Sequence, residues 1–139
     1  MEKSIGITPE IISTLENNDV FVFGSNPAGR HGGGAARTAM KWGAVMGQGV
    51  GLQGQTYAIP TMFNTTEEIR PYVTEFITFA KNHPEYRFLV TKIGCGIAGF
   101  TVTEMAELFR PVINGHIQNI YLPNEFILVL VQGDGNREM

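Results

Sequence analysis

The sequence predicts an α/β fold, on three observations. Residues 20–23 (VFVF) form a short apolar run suited to a strand buried on both faces. A polar break at Gly24, Ser25, Asn26 and Pro27 follows, then Gly29, Gly32, Gly33 and Gly34, then a helix-compatible stretch from Ala35. Residues 87–93 (RFLVTKI) repeat the pattern, with Gly94, Cys95, Gly96, Ile97, Ala98, Gly99 and Phe100 directly behind them. Between these units, Tyr72, Val73, Phe76, Ile77 and Ala80 recur at helical spacing. In such folds, loops of this kind meet at the carboxyl ends of parallel strands, where ligands bind.

The elements are expected in the following order. Thr8 as N-cap and Pro9 at the first helical position suit a short helix ending near Asn17 and Asn18. Asp19 leads into the central strand, and a second helix runs from Gly34 to about Trp42. Residues 43–55 show neither period and read as a long ordered loop. Its Gln48, Gln53 and Gln55 offer amides either to a base or ribose edge or simply to the loop itself. Tyr57, Ala58 and Ile59 form a short strand. Thr66 is placed to cap the next helix, but Pro71 moves its expected start to Arg70 or Pro71. His83 and Pro84 end that helix. Thr101 or Thr103 caps a helix through Phe109 that Pro111 stops or distorts. Residues 117–122 form the last regular strand, opened by Gly115 and His116. Residues 126–131 (FILVLV) read as an added edge strand, a partner-binding patch or an aggregation hazard, and residues 132–139 as a disordered tail.

Composition narrows the function classes. A chain of 139 residues suits one domain, with its core over about 19–125. A formal net charge of −3 without a basic tract disfavours duplex nucleic acid held by its backbone. The single cysteine excludes an internal disulfide, and with only three scattered histidines no metal site is expected. The opening residues 1–6 lack the apolar core of a secretion signal, and no run approaches a membrane span, so a cytoplasmic protein is expected. No cofactor is implied. A homo-oligomer or protein partner using residues 126–131 stays open.

The first glycine loop carries the chemistry. Glycines let a backbone approach a ligand closely, and amides at a helix start favour an anion, so residues 24–36 suggest a phosphate or pyrophosphate cradle. Behind the first strand neither GxxxxGK[ST] nor GxGxxG follows, so this loop supports neither a P-loop nor the dinucleotide fingerprint. Arg30 offers a planar fork to phosphate, and His31 is a candidate acid or base. In the second loop, Cys95 is a nucleophile candidate but reads better as packing, and Lys92 either faces the ligand or lies at the sheet edge.

Three blocks, GSNPAGRHGGGAARTAMKWGA, GQGVGLQGQTYAIPT and FLVTKIGCGIAGF, together resemble a group of small bacterial and phage proteins of macrodomain-like fold, over about residues 20–125. The resemblance implies a three-layer α/β/α macrodomain-like fold with a mixed, largely parallel central sheet. It implies binding of ADP-ribose or a related nucleotide, and in some members hydrolysis at the distal ribose. Asn26 looks like the family's Asn near that ribose, and with His31 it is the candidate for placing an attacking water. Gly24 and Ser25 lead into the first phosphate loop, which corresponds to Gly32, Gly33 and Gly34. Gly94 and Cys95 lead into the second, which looks like Gly96, Ile97, Ala98, Gly99 and Phe100, with Phe100 either beside the ribose or in the core. Asp19 is the candidate for the family's adenine-recognising Asp. The chain departs from the family after the glycines, where Ala35, Ala36, Arg37 and Thr38 replace the acidic residue of many hydrolytic members. A non-catalytic interaction module is the alternative, and a holder of single-stranded nucleic-acid ends a weaker third.

Overall fold

The computed structural model describes residues 5–137, with side chains through residue 132; residues 1–4, read above for a targeting segment, and 138–139 lie outside the described residues. A mixed, mostly parallel sheet forms the middle of a three-layer α/β architecture. Its strands are β1 (Asp19–Ser25), β2 (Gly51–Gln53), β3 (Thr56–Pro60), β4 (Arg87–Val90) and β5 (Ile120–Tyr121). Among the described residues they lie in the order β2-β3-β1-β4-β5. β1 pairs in parallel with β3 and β4, β4 in parallel with β5, and β2 runs antiparallel to β3.

Alternation along β1 splits the core. Val20 and Val22 face the larger layer, where they pack with Tyr57, Ile59, Phe88, Val90 and Ile120. Helices α2 (Thr66–Lys81), α3 (Val102–Leu108), α4 (Arg110–Asn114) and α5 (Asn124–Arg137) supply that layer. Phe21 and Phe23 face the thinner layer with Ala36, Ala39 and Ala44. That layer is α1 (Gly34–Ala39), continued by a 3-10 turn over Met40–Trp42. Small residues on α1 let it sit close to the sheet.

The expected boundaries shift for local reasons. α2 begins at Thr66, earlier than Pro71 suggested, because Thr65 and Glu68 form a capping box. Glu68 donates its amide to Thr65 Oγ1, and its carboxylate accepts from the Thr65 amide at 3.0 Å. Thr101 and Glu104 repeat the device at the start of α3. The helix expected after Thr8 does not form. The Thr8 amide instead donates to the Leu122 carbonyl at 2.9 Å, extending the β5 edge, and its Oγ1 caps nothing. The long loop contains β2, whose Gln48 neighbour donates its side-chain amide to the carbonyls of Val50 and Leu52. The last strand shortens to Ile120–Tyr121, and His116 sits before it in a turn with φ of 51°.

The largest correction concerns residues 126–131, which are helical rather than an edge strand, as are residues 132–137, expected to be disordered. Phe126 and Leu130 are both fully buried, while Leu128 between them is 48% exposed. Burial four residues apart is helical, whereas a strand would have buried 126, 128 and 130 alike. The Phe126 ring lies 5.8 Å from that of Phe109, at the end of α3, tilted by 35°.

Candidate functional site

The carboxyl ends of the parallel strands enclose a cavity of about 840 Å³. Gly24, Ser25 and Asn26 border it from β1, and Gly33, Gly34 and Ala36 from the start of α1. Thr91, Lys92, Ile93, Gly94, Gly96, Ile97 and Ala98 border it from the segment after β4. The two glycine loops therefore share one space. Their roots nearly touch, since a Cβ on Gly24 would lie 3.5 Å from the Gly94 amide nitrogen. The volume lies in the range of small-molecule and nucleotide sites, roughly 300–1,000 Å³.

Within each loop, the chain's own bonds set the shape. Asn26 donates from Nδ2 to the Arg30 carbonyl at 3.0 Å and accepts the Arg30 amide on Oδ1 at 2.9 Å. Its side chain braces the first loop while bordering the cavity. Ser25 Oγ donates to the Gly49 carbonyl, tying the same loop to the β2 hairpin. Gly29 lies at φ +70°, and a side chain there would collide with the backbone of Gly47 and Gln48, so this glycine serves the fold. In the second loop, the Phe100 amide donates to the Gly94 carbonyl at 2.9 Å and the Gly99 amide to the Gly96 carbonyl at 3.0 Å. The amides of Gly96, Ile97 and Ala98 have no partner among the described residues.

Gly33 and Gly96 differ from Gly29. Neither has a positive φ, and an added Cβ on either would meet nothing within 4 Å. The fold itself does not require glycine at these two positions, and both border the cavity.

The charges around the rim are mixed. Arg30 borders the cavity, and its guanidinium has no acidic partner among the described residues. Lys92 Nζ lies 3.1 Å from Glu125 Oε2, on the first turn of α5, and both border the cavity with half their side chains exposed. The hydrogen bond to Glu125 raises the Lys92 ammonium above its ordinary value, and the same bond lowers the Glu125 carboxyl. Glu10 adds a second carboxylate to the wall. Among the described residues no group of three His, Cys, Asp or Glu side chains is placed to share a metal ion.

Several expected site residues lie elsewhere. Asp19 sits at the amino end of β1, opposite the cavity, buried against Arg87, so it is not placed to read a base there. His31 is 1% exposed and does not border the cavity. Its Nε2 lies 3.0 Å from the Gln48 carbonyl, and its ring meets Phe23 edge-on at 5.2 Å. Because a carbonyl can only accept, Nε2 carries the proton, and Nδ1 is left buried without a partner. This is a packing histidine that pins residues 46–49, not an acid or base at the cavity. Gly32, Gly99 and Phe100 also lie off the cavity wall, and Phe100 packs against the large core. Cys95 packs there too, and burial pushes its thiol up, away from nucleophilic character. Gln48, Gln53 and Gln55 donate their side-chain NH2 groups to backbone carbonyls, and none of the three borders the cavity.

Three parts of the wall escaped the sequence reading. Thr61 and Met62 follow β3, Asn124 and Glu125 follow β5, and residues 8–10 with Ile12 cross the thin layer. The first two obey the same strand-end rule that found the glycine loops, applied to strands without glycines behind them. No helix among the described residues is long and apolar enough to cross a membrane. Comparison of the chain with protein-family models, with curated proteins and with solved structures finds no match.

Proposed function

We propose that the protein binds an ADP-ribose-like nucleotide in this cavity, with the backbones at Gly33 and Gly96 on either side of the diphosphate. The macrodomain-like resemblance suggests the ligand. The observation that carries it is the pair of glycines themselves: both border one cavity, and neither is demanded by the backbone or by its neighbours. A bare backbone there lets amides approach a phosphate as a Cβ would not. Arg30, without an acidic partner, supplies the charge-assisted contact.

Binding is better supported than turnover. His31 is turned into the core, and Asn26 is engaged on Arg30. Water activation at the distal ribose would fall to Glu10 or Glu125, the carboxylates that border the cavity among the described residues. Calorimetric titration with ADP-ribose, ADP and adenosine tests the proposal. ADP-ribose and ADP are expected to bind and adenosine to bind far more weakly. Silence from all three rejects it and favours a protein-interaction module.

A further inference from the structure

The thin layer of the fold is unevenly covered. α1 shields Phe21 and Phe23, but among the described residues no helix lies over β4 and β5 on that side, and the chain from Ile7 to Glu16 crosses instead. This strap is tied at both ends. At one, the Thr8 amide donates to the Leu122 carbonyl at 2.9 Å, and the Leu122 amide donates to the Gly6 carbonyl at 3.1 Å. At the other, the Glu16 amide donates to Asp19 Oδ2, and the Glu16 carbonyl accepts from the Asp19 amide and from Gln55 Nε2. Residues 9–15 between the ties make no hydrogen bond with any described residue. Ile12 and Leu15, both half-buried, are their apolar anchors on the Phe21–Ala36 cluster, while Ile11 is 84% exposed.

The strap is also a partition. Thr8, Pro9, Glu10 and Ile12 wall the large cavity, and Pro9, Ile11 and Ile12 wall a second cavity of about 310 Å³ that reaches Arg87 and Tyr121. At its hinge, Thr8 is 6% exposed and its Oγ1 has no hydrogen-bond partner. A buried hydroxyl without a partner disfavours the state that buries it. The closed strap thus combines a backbone without hydrogen bonds, two partial apolar anchors and one unsatisfied hydroxyl. The absent hydrogen bonds and the unsatisfied hydroxyl favour opening, against only two partial apolar anchors and the attraction of Glu10 for Lys92.

We infer that residues 9–15 are a gate that lifts about ties at Thr8 and Glu16, hydrating the Thr8 hydroxyl and joining the two cavities into one groove. The gate follows from the bonding of the strap and does not depend on which ligand the cavity takes. It gives a long ligand a side entrance toward Arg87 and Tyr121 that the closed state denies.

The test reads access to the wall beneath the strap. Ala36 is 8% exposed, borders the large cavity and packs in the cluster that holds Ile12. Ala36→Cys is made in a Cys95→Ala background, and its alkylation by iodoacetamide is timed on the folded protein, checked by circular dichroism. Leu89→Cys, 4% exposed on the wall of the second cavity that Pro9, Ile11 and Ile12 also line, replaces it if that variant does not fold. Ile12→Ser is expected to raise the rate by removing an anchor. Thr8→Val, which keeps the shape and deletes the unsatisfied hydroxyl, is expected to lower it roughly tenfold. Equal rates in all three backgrounds overturn the gate. So does a rate raised by Ile12→Ser but indifferent to Thr8→Val, because that result reports only local packing.

Discussion

Arg87 Nε lies 2.6 Å from Asp19 Oδ1, and the two residues face each other in register as the first pair of β1 and β4. A second bond, Nη2 to Oδ2 at 3.0 Å, makes the contact bidentate. Burial alone would push the Asp19 carboxyl up, but its bonds to Arg87 and to the Glu16 amide outweigh this and hold it below the ordinary carboxylate range. The pair closes the end of the sheet opposite the large cavity, away from the glycine loops, and borders the smaller cavity beneath residues 9–12.

Asp19→Asn is therefore expected to cost stability and not ligand affinity. Arg87 is 35% exposed and keeps access to water, so the loss at neutral pH is about 1–2 kcal/mol. A carboxylate whose folded pKa is depressed stabilises fully above its unfolded value of about 3.9 and loses that contribution as pH falls through the folded value. Urea denaturation is expected to show a constant gap between wild type and variant from pH 7 to about 5, narrowing below about 4. A gap that widens toward acid would contradict the account.

His31→Ala separates packing from chemistry. It deletes a buried ring, its bond to Gln48 and its edge contact with Phe23. A loss of about 2–4 kcal/mol in thermal or urea unfolding is expected. At a temperature where the variant stays folded, ADP-ribose affinity should stay close to wild type. Loss of binding in a variant of unchanged stability would return His31 to the site.

These two residues show where the sequence was legible and where it was not. β1 and β4 were readable from their apolar runs, although β1 continues through Gly24 to Ser25 and β4 stops at Val90, short of the expected Ile93; of the two expected caps, Thr101 and Thr103, Thr101 is the one used. The shared cavity followed from strand order, a property of any parallel sheet. Asp19 and His31 lie away from the large cavity because nearness to a glycine loop in sequence says nothing about which end of a strand, or which side of a loop, borders it. Residues 126–131 were misread because a short apolar run carries no period until its burial is known. Thr8 has the chemistry of a cap, but the chain on both sides of it pairs with the β5 edge through Leu122, so no helix starts there to be capped.

Lys92 and Glu125 make the next prediction. Their pair is half exposed, so breaking it should leave the unfolding midpoint nearly unchanged. It does matter to an anionic ligand, because Glu125 competes for the Lys92 ammonium at the cavity wall. Glu125→Gln is expected to tighten ADP-ribose binding severalfold and Lys92→Ala to weaken it, both more strongly at low salt. Calorimetry at two ionic strengths checks this, and tighter binding by Lys92→Ala would refute it.

The most direct measurement is the affinity of Gly33→Ser and Gly96→Ala for ADP-ribose, read beside their melting temperatures. Gly33 is the N-cap of α1 at φ −157° and ψ 169°, a conformation that serine adopts readily, and neither site crowds an added Cβ. Melting temperatures near wild type are expected for both, with binding weakened roughly tenfold or more, or about 1.4 kcal/mol. Stable variants that bind ADP-ribose as tightly as wild type would show that these backbones do not hold the diphosphate.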